Sequence, residues 1–195
     1  MEQMKKVEDR RIRKTKKQIR FGLAKALEVK DVNSITVKEL VEAADINRST
    51  FYLHYNNVHA LMDDVENEVL KDIKEIFSAY PIFEHIGSSR LIKDIFKYID
   101  DNQEIIKALL GPNGRPEFKE RLSRLIYEQC LLSASKDSGI NLPKDFELAF
   151  SFYLTGCVGI IRKWLDPAYP SDSVEHVSEV ASRLILTPMT EFAVN

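Results

Sequence analysis

Cysteine is scarce. Cys130 and Cys157 are the only two in 195 residues, 27 positions apart and in no Cys-x-x-Cys spacing. Each sits in apolar helical sequence, so buried reduced thiols are expected in place of a disulfide framework, with a redox role as the alternative. Glycine and proline number seven each and fall mostly between periodic segments, which suits an all-helical chain. Long apolar runs are missing as well. The densest, Phe146 to Leu165, is broken by Ser151, Thr155, Arg162 and Lys163 and makes a poor membrane span. The N-terminus is charged with no apolar run behind it, so no signal peptide is read and a cytoplasmic location is expected. Nor is there a nucleophile–base pair, a paired set of carboxylates or a His/Cys cluster; His85 and His176 stand alone. The turn Gly111-Pro112-Asn113-Gly114 lacks the Gly-Lys-Ser/Thr ending of a phosphate loop. No catalytic residue, metal or cofactor is therefore expected, and a helical enzyme is the least favoured class.

What is present is a globular composition, 44% apolar and 30% charged. The net charge of −2 hides an asymmetry: residues 1–56 hold thirteen Lys and Arg against eight Asp and Glu, and the remainder holds fifteen against twenty-two. A basic end joined to an acidic remainder is the electrostatic footprint of a nucleic-acid-binding segment fused to one with another role.

Within the basic end, Thr36 and Glu39 form a capping-box pattern that starts a helix. Val37, Leu40, Val41 and Ala44 recur at helical spacing, and small Ala43 and Ala44 allow close approach of a partner helix. Asp45 tolerates a left-handed turn, and Asn47 is an N-cap for a second helix over about 48–53. Short helix, tight turn, short helix is the layout of a helix-turn-helix, whose second helix enters the major groove. Ile46 and Phe51 are expected to face inward. The alternative is a pair of ordinary amphipathic helices with Arg48 and His54 merely solvated.

The run Ala44-Asp45-Ile46-Asn47-Arg48-Ser49-Thr50-Phe51-Tyr52-Leu53-His54-Tyr55, followed by Ala60-Leu61, resembles the signature of the TetR family of transcriptional regulators over roughly residues 9–65. Asp45 stands where that family usually has glycine, and Asn56, Asn57 and Val58 where it often has Pro, Ser and Lys. The C-terminal run Gly156 to Leu165 also resembles a branch of the family that includes an activator of dihydroxyacetone kinase genes.

Periodicity lays out the rest. Residues 1–8 read as a loose arm, and Arg10, Arg11, Arg13, Lys14, Lys16, Lys17 and Arg20 as a basic run facing phosphates or solvent. Ile12, Ile19, Leu23, Ala26 and Leu27 mark a first helix. Asn57 caps a long helix to about Tyr80, with Asp63, Asp64, Glu66, Glu68, Asp72 and Glu75 on a solvated face. Pro81 to Ser88 is a loop, and helices follow over 89–101, 103–110, 116–135, 144–166 and 173–186, with breaks at 138–139 and 141–143. The expected fold is all-α, with about nine helices: an N-terminal three-helix DNA-binding domain (1–56) and a helical effector-binding and dimerisation domain (57–195). Met62, Phe77, Phe83, Phe96, Tyr98, Tyr127, Phe150, Tyr153 and Trp164 line a pocket or form plain core.

The resemblance implies a homodimeric regulator that binds a palindromic operator in double-stranded DNA, most simply a repressor released by a small-molecule effector. The alternative is an activator controlled by a partner protein. Thr36, Lys38, Tyr52, Tyr55 and Asn57 are expected at phosphates; Arg48, Ser49 and Thr50 at base edges; His54 at either, with Asn47 opening the reading helix. The last two helices, with Phe152, Gly156, Gly159, Ile160, Trp164, Val177, Ala181 and Leu184, are expected to pair with those of a second copy.

Overall fold

The structure is a computed structural model that describes residues 2–80, 88–136, 145–169 and 172–192; for 2–10, 133–136 and 186–192 it describes the backbone alone. Residues 81–87 of the loop expected over Pro81 to Ser88, with Phe83 and His85, the breaks at 138–139 and 141–143, and Pro170 lie outside these residues. Among the described residues there are nine α-helices and no strand.

Nothing between Glu2 and Val29 breaks a helix except Gly22, and helix α1 runs through the whole of Glu2–Val29. The loose arm expected over residues 1–8 is therefore a correction: Glu, Gln, Met and Lys are good helix formers, and the helix propagates through them. Burial starts late. Ile19, Leu23, Ala24 and Leu27 are buried, whereas Ile12, expected on the same stripe, is 40% exposed. Helix α2 (Val37–Ala43), reached through a 3-10 turn at Val32–Ser34, is short and packs on the later half of α1, and α3 (Arg48–Tyr52) packs on α2.

Gly22 decides how α1 meets α2. A Cβ built there would lie 2.7 Å from the Leu40 carbonyl oxygen and 2.9 Å from the Ala44 Cβ, so the two backbones are as close as a hydrogen side chain permits. Ala44 is buried at this crossing, while Ala43, expected to share the role, is exposed. Leu40 and Phe51 complete the centre with no exposure at all.

Helix α4 (Val58–Ser78) follows, then α5 (Ser89–Asp101), α6 (Gln103–Leu110), α7 (Pro116–Lys136), α8 (Phe146–Trp164) and α9 (Val174–Phe192). Ser88 caps α5 by accepting from the Leu91 amide at 3.3 Å. α9 continues past the expected end at residue 186 to Phe192.

Packing divides the chain elsewhere than at the 56/57 boundary read from the sequence. One compact unit comprises Met1–Glu68 with Glu104–Phe118; the other comprises Val69–Gln103 with Lys119–Asn195. Leu61, Met62 and Val65 of α4 are fully buried. The first unit also takes in α6 and the turn after it. There Asn113 donates to the Leu27 carbonyl at 2.8 Å, and Arg115 pairs with Asp63 at 2.5 Å and Glu66 at 3.6 Å.

These pairs correct the reading of the acidic face of α4 as solvated. Glu66 is 2% exposed. Asp64 accepts from Tyr55 and Lys16, Glu68 pairs with Arg20, and Asp72 accepts from Tyr98 at 3.0 Å. Amphipathic spacing cannot separate a carboxylate in water from one that meets a cation on another element.

In the second unit α9 lies chiefly on α5. Ala181 has no exposure, so it serves the core of one subunit and is withdrawn as a dimer residue, whereas Val177, though buried, lines a groove between α8 and α9. Trp164 packs on Phe96 at 5.9 Å and donates to the Asp172 carbonyl at 3.1 Å. Of the residues offered as pocket or core, Met62, Phe77 and Phe96 are buried core. Tyr127 packs on Phe146 and Phe150. Helix α8 departs from expectation. Its apolar circumference called for cover on both sides, yet Leu148 is 73% and Phe152 75% exposed.

The Gly22 crossing yields a sign test. In an ordinary helix interior Gly→Ala stabilises by up to about 1 kcal/mol. Here Gly22→Ala should destabilise by about 1–3 kcal/mol through overpacking against α2, measured by urea unfolding.

Candidate nucleic-acid interface

The helix-turn-helix is assembled by local chemistry. The Thr36 hydroxyl accepts from the Glu39 amide at 3.3 Å, and the Glu39 carboxylate accepts from the Thr36 amide at 2.9 Å, so the capping box is closed. Lys30, at the end of α1, donates to the same carboxylate at 2.6 Å. This bond, with those from Thr36, lowers the Glu39 pKa from 4.5 to about 2. Asp45 then turns the chain with φ 52°, the left-handed conformation that this residue type tolerates.

Asn47 opens the second helix. Its side-chain oxygen accepts from the Thr50 amide and from the Ser49 and Thr50 hydroxyls, each at 2.7 Å. Ser49 and Thr50 thus spend their protons on the cap and offer a DNA base edge only acceptor capacity. Phe51, fully buried, anchors the inner face of α3, with Tyr52 edge-on at 5.5 Å. Outward, Arg48 and Tyr52 are exposed, and no ion pair or hydrogen bond engages the Arg48 guanidinium among the described residues. Leu53 is 81% exposed. It was absent from the sequence expectations, although four-residue spacing from Ser49 puts it on the same side of α3 and an apolar side chain there suits a thymine methyl.

Tyr55 is a correction. It is 7% exposed and donates to Asp64 at 2.7 Å, so it cannot reach a phosphate without leaving the core. Burial and the adjacent carboxylate push its phenol pKa upward. Burial opposes ionisation of Asp64, but the Tyr55 hydroxyl and the Lys16 and Arg20 charges outweigh it, and its pKa falls. Lys16 and Arg20 likewise leave the phosphate set, since they bind Asp64 and Glu68 on α4. Arg11, Arg13, Lys14 and Lys17 remain exposed. Asn57 accepts from the Ala60 amide at 2.8 Å, capping α4 while its amide nitrogen still offers donors. Thr36 and Lys38 are exposed, Lys38 lying 4.0 Å from Glu42, and His54 is half-buried beside Tyr55.

The two cysteines are free and partly buried, and burial pushes the Cys130 thiol up to about 12 and Cys157 to about 11, so neither is a reactive thiolate. Among the described residues no group of three or more His, Cys, Asp or Glu could hold a metal, and no helix is long and apolar enough to cross a membrane.

Comparison with known proteins finds relatives of the chain. Residues 88–186 match the TetR-type family of transcriptional regulator C-terminal regions. The match spans half of the chain, and the chain belongs to that family: it is a transcriptional regulator of the TetR type. The chain is 30% identical over 121 residues to the uncharacterized HTH-type transcriptional regulator YxbF of Bacillus subtilis (strain 168). That alignment takes in 60% of this chain but 31% of YxbF, so the chain spans about a third of that relative's length. Two solved structures share the fold. A TetR transcriptional regulator from Streptococcus agalactiae 2603V is 22% identical with a TM-score of 0.55, covering 92% of this chain and 97% of its own. The dihydroxyacetone kinase operon activator DhaS is 16% identical with a TM-score of 0.58, covering 92% and 98%.

The cap on α2 should weaken in acid. A carboxylate with a depressed folded-state pKa contributes stability that is present above its unfolded value and is lost as pH falls through the folded one. For Glu39 that window runs from 4.5 down to about 2. Its carboxyl resonance should titrate near the lower value, and Lys30→Ala should move the midpoint upward. A midpoint near 4.5 in the unaltered protein would refute the closed cap.

Proposed function

We propose that the protein is a homodimeric, sequence-specific DNA-binding regulator in which each subunit lays α3 into a major groove of a palindromic operator. One observation carries the reading. α3 is held rigidly by Asn47 at its start and Phe51 beneath, while Arg48, Tyr52 and Leu53 point away from the core. Arg48 reads base edges, Ser49 and Thr50 accept from them, and Leu53 meets an apolar edge. Lys38, Tyr52 and Asn57 bind phosphates, and half-buried His54 borders them; Thr36, whose amide and hydroxyl both donate to Glu39, has no donor left for one and leaves the phosphate set. Two-fold symmetry sets the half-sites one helical turn, or a multiple of it, apart. The exposed basic residues of α1 add salt-dependent attraction. The working boundary between reading head and regulatory part follows the compact units.

In the form we favour, the protein represses its target, and a small-molecule effector bound among the helices of the second unit releases it. Thermodynamically the effector must bind the DNA-incompetent arrangement better than the competent one, and the operator then weakens the effector by the same factor.

Fluorescence anisotropy with DNA flanking the protein's own gene, in excess unrelated duplex, tests recognition. Arg48→Ala should weaken operator binding roughly 5- to 150-fold, the 1–3 kcal/mol of a base contact, and relax preference at one position. Lys38→Ala should weaken all duplexes alike and reduce the salt slope by about one. Unchanged affinity in both variants, with helicity intact, would refute the interface. A reporter on the same operator gives the regulatory sign: a rise in expression on deleting the gene supports repression, and a fall makes the protein an activator.

A further inference from the structure

Helix α3 has five residues, too few to fix its own direction. Asn47 holds its start and Phe51 its inner side, but its last turn runs straight into the bend that leads to α4. One side chain spans that bend. The Tyr55 amide donates to the Phe51 carbonyl at 3.0 Å, which ties Tyr55 to α3, and the Tyr55 hydroxyl donates to Asp64 on α4 at 2.7 Å. Its ring packs on Phe51 at 5.9 Å, and the Lys16 ammonium of α1 stands over that ring at 5.8 Å. Tyr55 therefore touches α1, α3 and α4 at once.

The acceptor is as particular as the donor. Lys16 donates to the same oxygen of Asp64, Oδ2, at 3.3 Å. A single oxygen thereby gathers α1, the end of α3 and α4. Apolar contacts such as Phe51 against Tyr55 are non-directional, so they hold α3 down without fixing the angle at which it leaves the core. A hydrogen bond prescribes an angle as well as a length. Contacts to base edges depend on that angle for the same reason, whereas the attraction of cations to a line of phosphates depends on it little.

We propose that Tyr55 is a positioning residue for operator recognition: its hydroxyl, seated on Asp64, fixes the tilt of α3 and so sets the ratio of operator to random-duplex affinity without touching DNA. The assignment rests on the reading of α3 as the helix that enters the groove. Without the bond α3 samples more tilts, and operator affinity falls in proportion to the fraction of molecules left in the competent one. One net hydrogen bond holds that fraction up by roughly 2- to 12-fold. Random duplex, held by charge, is bound as before.

Selection from a random-sequence duplex pool by the unaltered protein supplies the operator, and anisotropy with that duplex and with an unrelated one gives the ratio. Tyr55→Phe keeps the ring against Phe51 and leaves Asp64 its Lys16 partner, so the melting temperature should fall by only about 2–4 °C. The ratio should nevertheless drop roughly 2- to 12-fold, all of it from the operator side. Asp64→Ala should lower the ratio as much, and combining it with Tyr55→Phe should lower it no further. Asp64→Asn should retain the ratio: two donors, Tyr55 and Lys16, converge on one position, so the amide oxygen takes it and still accepts the hydroxyl. A ratio unchanged in Tyr55→Phe, both affinities falling together, or a loss in Asp64→Asn as full as in Asp64→Ala would overturn the positioning role while a selected operator keeps the groove reading. A pool in which no sequence is enriched would overturn both.

Discussion

The carboxylates of α4 hold the reading head in its shape. Asp64 takes the Tyr55 hydroxyl and the Lys16 ammonium, Glu68 takes Arg20, and Asp63 and Glu66 share Arg115. Singly, the more exposed of these pairs contribute little, on the order of 0.2–1 kcal/mol each. Their value is geometric: α1, the end of the helix-turn-helix and the turn after α6 are tied to one helix face. Removing a partner from Glu66, which is buried, would instead leave a charge in the core, a far larger cost. The orientation of α3 is inherited through Phe51 and Tyr55 from this set of anchors.

Local chemistry was legible in the sequence wherever it is written in adjacent residues. The Thr36–Glu39 box, the left-handed Asp45, the Asn47 cap and the spans of α5 and α6 follow from short-range rules, and the structure shows each of them. What periodicity could not supply was the identity of the neighbour. Lys16 and Arg20 looked like the rest of a basic run, Glu66 like its solvated neighbours, and Tyr55 like Tyr52, because a pattern gives the face of a helix but not what stands opposite. Ala181 was misjudged for the same reason: an apolar stripe has the same spacing whether its cover comes from its own subunit or from another. Gly22 left no trace at all, since a lone glycine in a helix gives no hint of a backbone 2.7 Å from its missing Cβ.

The two units treat apolar surface differently. In the first, the large apolar side chains left exposed on α3, Tyr52 and Leu53, are ones that a DNA groove can use. In the second, the longest exposed stripe runs along α8, interrupted by two glycines that serve nothing within the subunit. Both places break the usual economy of a globular surface.

The turn Gly111–Arg115 has a consequence for how such regulators can be recombined. The head is not a contiguous stretch of chain: residues 104–118 belong to its packing although they come after α5. A graft that joins another regulator's first 56 residues to this chain would keep the main-chain acceptor for Asn113, since any residue at the end of α1 supplies a carbonyl. It would lose Lys16, Arg20 and Tyr55, so the carboxylates of α4 accept a foreign segment only where it brings its own donors to Asp64 and Glu68.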